Sequence, residues 1–193
     1  MECVGMAVNQ TKVKIATALI ELVKTTDYSK ISVQMIAKKA EINRQTFYYH
    51  FADKDELLRY IYYTEALNFL TSDELSLANW EEQVLQMLRA IYQHRDFYRK
   101  TVADRKEILI REFSKIVGRL FRKLFEDFDT ENYLSESDKD FYGHFFTYGC
   151  SGVLLAWIED DYPVPPLEVA TQMFRLAKDV EFYSYRLYQQ EEQ

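Results

Sequence analysis

The chain has 193 residues, of which 48% are hydrophobic and 16% aromatic, enough apolar content to exclude general disorder and to fill the core of one substantial domain, or of a small one joined to a larger one. Only five Gly and three Pro occur, a turn-poor composition that favours helices, and no apolar run approaches the ~20 residues that span a bilayer. The net charge of −7 argues against wholesale nucleic-acid binding, but residues 1–60 hold nine Lys or Arg against seven Asp or Glu, while the remainder holds 15 against 24; a mildly basic head on an acidic body points to a small electrostatic footprint attached to something with another task.

The opening residues, MECVGMAVNQ, carry an acid and no basic cluster, which is not a secretory leader. Residues 1–9 read as a flexible arm, and Cys3 and Cys150 as the thiols of a reduced, cytoplasmic protein. Ile15, Leu19 and Val23, flanked by Ala16 and Ile20, predict an amphipathic helix over 12–26. After the break DYSKI, Ser32 caps a short helix over 33–40 that buries Ile36, Ala37 and Ala40. Glu41 and Ile42 form a turn of about three residues with Asn43, which caps a third helix beginning at Arg44. That spacing is a helix-turn-helix. On the third helix Phe47 and Phe51 fall four residues apart on one side and belong in the core. Gln45, Thr46, Tyr48 and Tyr49 spread over the other side with Arg44 at its margin, a set suited to phosphates, base edges and thymine methyls.

The stretch ISVQMIAKKAEINRQTFYYHFADKDEL, residues 31–57, resembles the DNA-binding signature of the TetR (tetracycline-repressor) family. That pattern has a Ser or Thr cap, a short helix ending Ile-Ala-x-x-Ala, a turn, then Thr-x-Tyr-x-His-Phe followed by Lys and Leu. The likeness covers residues 12–60 and is nearest to a branch that includes relatives of the dihydroxyacetone-kinase operon activator. The resemblance implies an all-α fold of about nine helices: a three-helix head over 10–52 and an antiparallel helical bundle over 53–193 for effector binding and dimerisation. It implies base contacts from Gln34, Arg44 and Gln45, and phosphate or groove contacts from Ser32, Thr46, Tyr48, Tyr49, His50 and Lys54. Glu41 stands where the family usually has Gly, which predicts a slightly different turn.

Downstream, DKDELLRYIYYTEALNFL continues as a helix linking head to body. Asn79 starts a helix running to about His94, DFYRKTV is a short segment, and Leu109, Phe113, Ile116, Leu120 and Leu124 mark a long helix from Arg105. Ser135 or Ser137 caps the next, over about 138–160, and three prolines at 163, 165 and 166 make the turn into the last. There Val169, Met173, Leu176, Val180, Tyr183 and Leu187 recur in heptad steps, while Gly149, Gly152 and Ala156 form a notch in the preceding helix. Seam and notch predict a homodimer built as a four-helix bundle.

The rings of the middle helices, among them Tyr92, Tyr98, Phe113, Phe145, Tyr148 and Trp157, suit a core; the family resemblance implies that they enclose a pocket for a small apolar or aromatic effector. His94, Arg95, Arg111, His144 and Cys150 are the polar groups nearest to them. No metal-ligand spacing, phosphate loop or nucleophile elbow is present, so no metal, cofactor or catalysis is expected. The expected function is a regulator bound to double-stranded DNA, a ligand-responsive repressor acting as a homodimer on an inverted repeat. The alternative is a coregulator or activator controlled by a protein partner.

Overall fold

The computed structural model describes residues 2–71, 79–128 and 134–191, with the backbone alone at residues 2–8, 124, 126–128, 177 and 180–191. Eight α-helices are present among them: α1 (Glu2–Thr25), α2 (Val33–Lys39), α3 (Arg44–His50), α4 (Lys54–Glu65), α5 (Trp80–Gln93), α6 (Arg95–Phe128), α7 (Glu136–Glu159) and α8 (Pro166–Glu191). Two 3-10 turns, Tyr28–Lys30 and Leu67–Leu70, are also present among the described residues. Inside α6 the backbone of Arg105 leaves helical values, with φ −149° and ψ 46°, so the helix breaks where the sequence separates DFYRKTV from the long apolar stripe that begins at Leu109. Counted across that break, the described helices number nine, as expected.

The first helix is longer than its hydrophobic stripe. Residues 2–9, expected as a flexible arm, continue α1 from Glu2, since nothing in that stretch interrupts the backbone ladder as proline would. Ile15, Leu19 and Val23 are buried, as their four-residue spacing requires.

Caps set the next two helices. Ser32 Oγ accepts from the Met35 amide at 3.2 Å and Asn43 Oδ1 from the Thr46 amide at 2.7 Å, each satisfying an otherwise orphaned first-turn donor. Between them Glu41 takes φ 51°, so the turn keeps the left-handed conformation that glycine favours, contrary to the altered turn expected. The Ile42 amide donates to Ala37 O at 3.0 Å and the Glu41 amide to Lys38 O at 3.2 Å, a pair that fixes the corner despite the Cβ. A Lys14–Glu41 ion pair at 3.4 Å lies outside it.

Phe47 and Phe51 pack 6.0 Å apart inside the head, and the core runs on without a gap through Leu57, Leu58, Ile61 and Tyr62 of α4 into the body. There α6 lies along α7 and α5 packs on α8. Ser135 caps α7 in a reciprocal box with Asp138. The corner after α7 places Asp161 and Tyr162 at φ 60° and 58°. A bulky residue in that region is strained, and Tyr162 is held there by its ring, packed edge-on against Trp157 at 4.8 Å, and by its hydroxyl donating to Arg95 O at 3.0 Å.

Candidate nucleic-acid interface

The third helix divides as its sequence dictates. Phe47 is buried while Arg44, Gln45, Tyr48 and Tyr49 are exposed, with Thr46 and His50 half-buried at the margins. Ser32 and Gln34 are exposed at the start of α2. None of the described residues covers this face, and its groups are already arranged. Arg44 donates to the Tyr48 hydroxyl at 3.1 Å and sits over that ring, 5.5 Å from its centre, so the guanidinium is held along the helix surface. The Ser32 oxygen accepts in the cap, which leaves its proton available to a phosphate. Thr46 spends its hydroxyl proton on Asn43 Oδ1 at 3.0 Å. His50 lies edge-on to Tyr49 at 5.0 Å, and burial, with a smaller contribution from Lys12, holds its pKa below the usual histidine value. It is therefore neutral at pH 7 and offers a hydrogen bond rather than a charge.

Lys54 is a different case. Its ammonium turns inward and donates to the carbonyls of Tyr28 at 2.9 Å, Ile31 at 3.0 Å and Ser29 at 3.4 Å, and it lies 4.4 Å from the centre of the Tyr28 ring. Burial lowers its pKa. A phosphate contact from this ammonium, as the resemblance implies, would need those acceptors given up. The exposed Lys38 and Lys39 in the last turn of α2 were not singled out by sequence pattern, because charge on a solvated helix end has no distinguishing period.

Head and body meet around the break in α6. Tyr28 donates its hydroxyl to Asp55 at 2.8 Å, and Arg105 donates to the other oxygen of the same carboxylate at 2.8 Å. The Ser29 amide donates to Asp104 at 2.8 Å, and Lys100 donates to the last carbonyls of α1, Val23 at 2.9 Å and Lys24 at 2.8 Å. One turn deeper, Tyr62 of α4 stacks on Tyr98 of α6 at 5.3 Å and donates to Thr101 at 2.7 Å. The Tyr98 hydroxyl is buried without a hydrogen-bond partner among the described residues, an unusual state for a polar atom.

The rings expected to line one pocket do not come together. Tyr98, Phe113 and Trp157 are buried in the core, and Tyr92 stacks on Trp157 at 6.3 Å. Phe145 and Tyr148 point the other way and are 65% and 71% exposed. Helical spacing fixes which rings share a face, not which face is inside. Of the polar neighbours, His94 lies 3.5 Å from Glu65 and Arg95 lies over the Tyr92 ring. Burial pushes the Cys150 thiol up to about 11, so it stays protonated.

The expected dimer elements are also split. Gly149, Gly152 and Ala156 are exposed on α7, and a Cβ placed at either glycine would meet nothing within 4 Å of the same chain. Of the seam on α8, Val169 is buried and Met173 packs against the core, so its first turn serves the chain itself through contact with α5. Leu176 is exposed; the side chains of Val180 and Tyr183 lie outside the described ones. Among the described residues no helix is long and apolar enough to cross a membrane, and no group of His, Cys, Asp or Glu is gathered to hold a metal.

Comparison with known proteins places these features. Residues 15–61 match the model of bacterial regulatory proteins of the tetR family, and residues 78–179 match that of a transcriptional regulator C-terminal region. The chain is 35% identical over 86 residues to the HTH-type dhaKLM operon transcriptional activator DhaS of Lactococcus lactis subsp. lactis, a match covering 45% of this chain and 46% of that protein. It spans about half the length of the curated relatives it matches. A solved structure of the dihydroxyacetone kinase operon activator DhaS superposes with a TM-score of 0.66 at 24% identity, over 86% of this chain and 93% of that one. Thermus thermophilus FadR in complex with lauroyl-CoA superposes with a TM-score of 0.54 at 15% identity, over 86% and 92%.

Proposed function

Since the chain belongs to the TetR family of bacterial transcriptional regulators, we propose that it is a ligand-responsive repressor that binds an inverted-repeat operator as a homodimer. The observation that carries the reading is the uncovered α3 face, where Arg44, Gln45, Tyr48 and Tyr49 stand outward on a helix fixed by the Asn43 cap and the Phe47–Phe51 pair. Arg is suited to guanine O6 and N7 and Gln to adenine N6 and N7, each pair worth about 1–3 kcal/mol of discrimination. Ser32, Gln34, Thr46 and His50 flank it as neutral donors, and Lys54 acts as a strut under the head.

The partner reading rests on α7. Its buried side is small and polar through the first half, with Gly143, Thr147 and Ser151, while Phe141, Phe145 and Tyr148 face outward beside Gly149, Gly152 and Val153. A water-facing helix has the reverse pattern, and so contiguous an apolar face calls for a cover. A second α7, crossing where the glycines lack side chains, supplies it, with Leu176 of α8 alongside.

An effector would act through the Tyr98 region. The orphaned hydroxyl is a polar handle inside an apolar core, and the lauroyl-CoA held by FadR is a precedent for a largely apolar ligand. A ligand that displaces Tyr98 moves Tyr62, hence α4, and with it the head fastened through Asp55 and Arg105. It releases DNA only by binding the displaced state more tightly. The second reading, a regulator answering to a protein partner, is favoured by the close stacking of Tyr98, Tyr62, Trp157 and Tyr92, which serves as core without a ligand, and by the activator named among the relatives.

Fluorescence anisotropy with the DNA flanking the gene tests the proposal, with sedimentation giving the stoichiometry. The expected result is two chains per operator, affinity lost in Arg44→Ala and in Gln45→Ala, and weaker binding with a medium-chain acyl thioester. Binding by single chains, or indifference to both substitutions, would refute it.

A further inference from the structure

The body holds 15 basic against 24 acidic residues beyond position 60, yet one groove in it is strongly basic. It lies between α6 and α7, has a volume of about 440 Å³, and is lined by Arg111, Lys115, Arg119, Arg122 and Lys139 against a single acid, Asp140. The four basic residues of α6 are spaced by four, four and three, which sets them along one helix face over about 16 Å. Four of the five cations carry carboxylate neighbours. Glu112 sits 3.4 Å from Arg111 and 3.3 Å from Lys115, Glu136 sits 3.6 Å from Lys139, and Asp140 pairs with Arg122. The side chains of Arg111, Lys115 and Arg122 are more than half exposed, so these pairs are weak and readily exchanged for a stronger anion. Lys139 is otherwise, its side chain only 10% exposed.

The floor supplies a second, independent sign. Thr147, 6% exposed, lines the groove, and its hydroxyl is buried without a hydrogen-bond partner among the described residues. A threonine in a helix ordinarily returns that proton to a carbonyl one turn back, so an orphan here is a donor kept for something else. Gly118 lies against it, so that even a Cβ there would sit 3.5 Å from that oxygen, in ordinary contact. At the mouth, Tyr148 and His144 lie with ring centres 6.4 Å apart.

We propose that this groove binds the phosphoryl group of a small anionic ligand, with the Arg119 guanidinium and the Thr147 hydroxyl as direct donors and Lys115, Arg122 and Lys139 as surrounding charge. A guanidinium fork matches phosphoryl oxygens two at a time, and a row of cations this long exceeds what one carboxylate needs. The site is separate from the Tyr98 core and does not depend on the DNA-binding reading.

Calorimetric titration of the full chain with pyrophosphate, at matched ionic strength in chloride, tests it without DNA. The expected result is one pyrophosphate per chain, bound at least tenfold more weakly by Arg119→Gln and severalfold more weakly by Thr147→Val, with Lys106→Gln, outside the groove, unchanged. Thr147→Val should fold at least as stably as the parent, since it deletes an unpartnered hydroxyl. No binding above the chloride control, parental affinity in Arg119→Gln, or equal binding of tricarballylate would each overturn the proposal.

Discussion

Asp55 is the joint between head and body, and Asp55→Ala measures its strength. In the native chain its carboxylate accepts from the buried Tyr28 at 2.8 Å and from Arg105 at 2.8 Å. The first is a hydrogen bond to a charged group, worth about 1.5–3 kcal/mol, discounted toward the lower end because Tyr28 keeps a second acceptor in Lys54 O at 3.0 Å. The second joins side chains 45% and 24% exposed and adds about 0.5–1 kcal/mol. The loss should total about 2–3 kcal/mol, lowering Tm by roughly 4–12 °C for a chain of this size. Asp55→Asn, which keeps an acceptor but not the charge, should lose about half. Urea denaturation gives the free energies, and a cycle with Tyr28→Phe should show coupling of about 1 kcal/mol or more. A loss under 0.5 kcal/mol, or additive effects of the two substitutions, would refute the view that this carboxylate fastens the head.

Lys54→Met should cost about 2 kcal/mol in urea denaturation, because the part-buried carbonyls of Tyr28 and Ile31 and the exposed one of Ser29 lose a charged donor, while the salt dependence of DNA affinity stays parental; a salt slope reduced by one unit would instead place the ammonium on a phosphate. Glu41→Gly should raise Tm by about 2–4 °C, since it removes a strain of roughly 1 kcal/mol at φ 51° for the loss of only an exposed ion pair. Phe145→Asp with Tyr148→Asp should give folded single chains in sedimentation, and an unchanged assembly would move the interface off α7. His50, neutral because its folded pKa is depressed, contributes stability above pH 6.5 that is lost as pH falls from there through the folded pKa; an NMR titration should find its midpoint below 6.5.

Much of the head was legible because its determinants are local. Ser32 and Asn43 cap helices that begin one residue later, and Phe47 and Phe51 meet across one helical turn. The inward turn of Lys54 is not legible for the opposite reason: its acceptors lie 23 to 26 residues earlier, in the 3-10 turn Tyr28–Lys30 and in Ile31 that caps it, which only the folded head brings near. In the body, periodicity predicted the helices, and the break at Arg105 falls where the pattern changes. It did not say which side of α7 is buried, because rings occur all round that helix while its inner face is built from Gly143, Thr147 and Ser151. The seam on α8 was readable as a stripe, but its first turn satisfies α5 rather than a partner. The basic row at 111, 115, 119 and 122 stands plainly in the sequence, yet looks like any solvated helix face until α7 closes a groove beside it.

Selection from a random duplex library tests the central claim most directly. The purified full chain should enrich an inverted repeat with half-sites about one helical turn or more apart, and Arg44→Ala should relax the base preference within each half-site while leaving the spacing intact. Enrichment of no sequence, or of a site without two-fold symmetry, would contradict a dimer presenting two α3 faces to DNA.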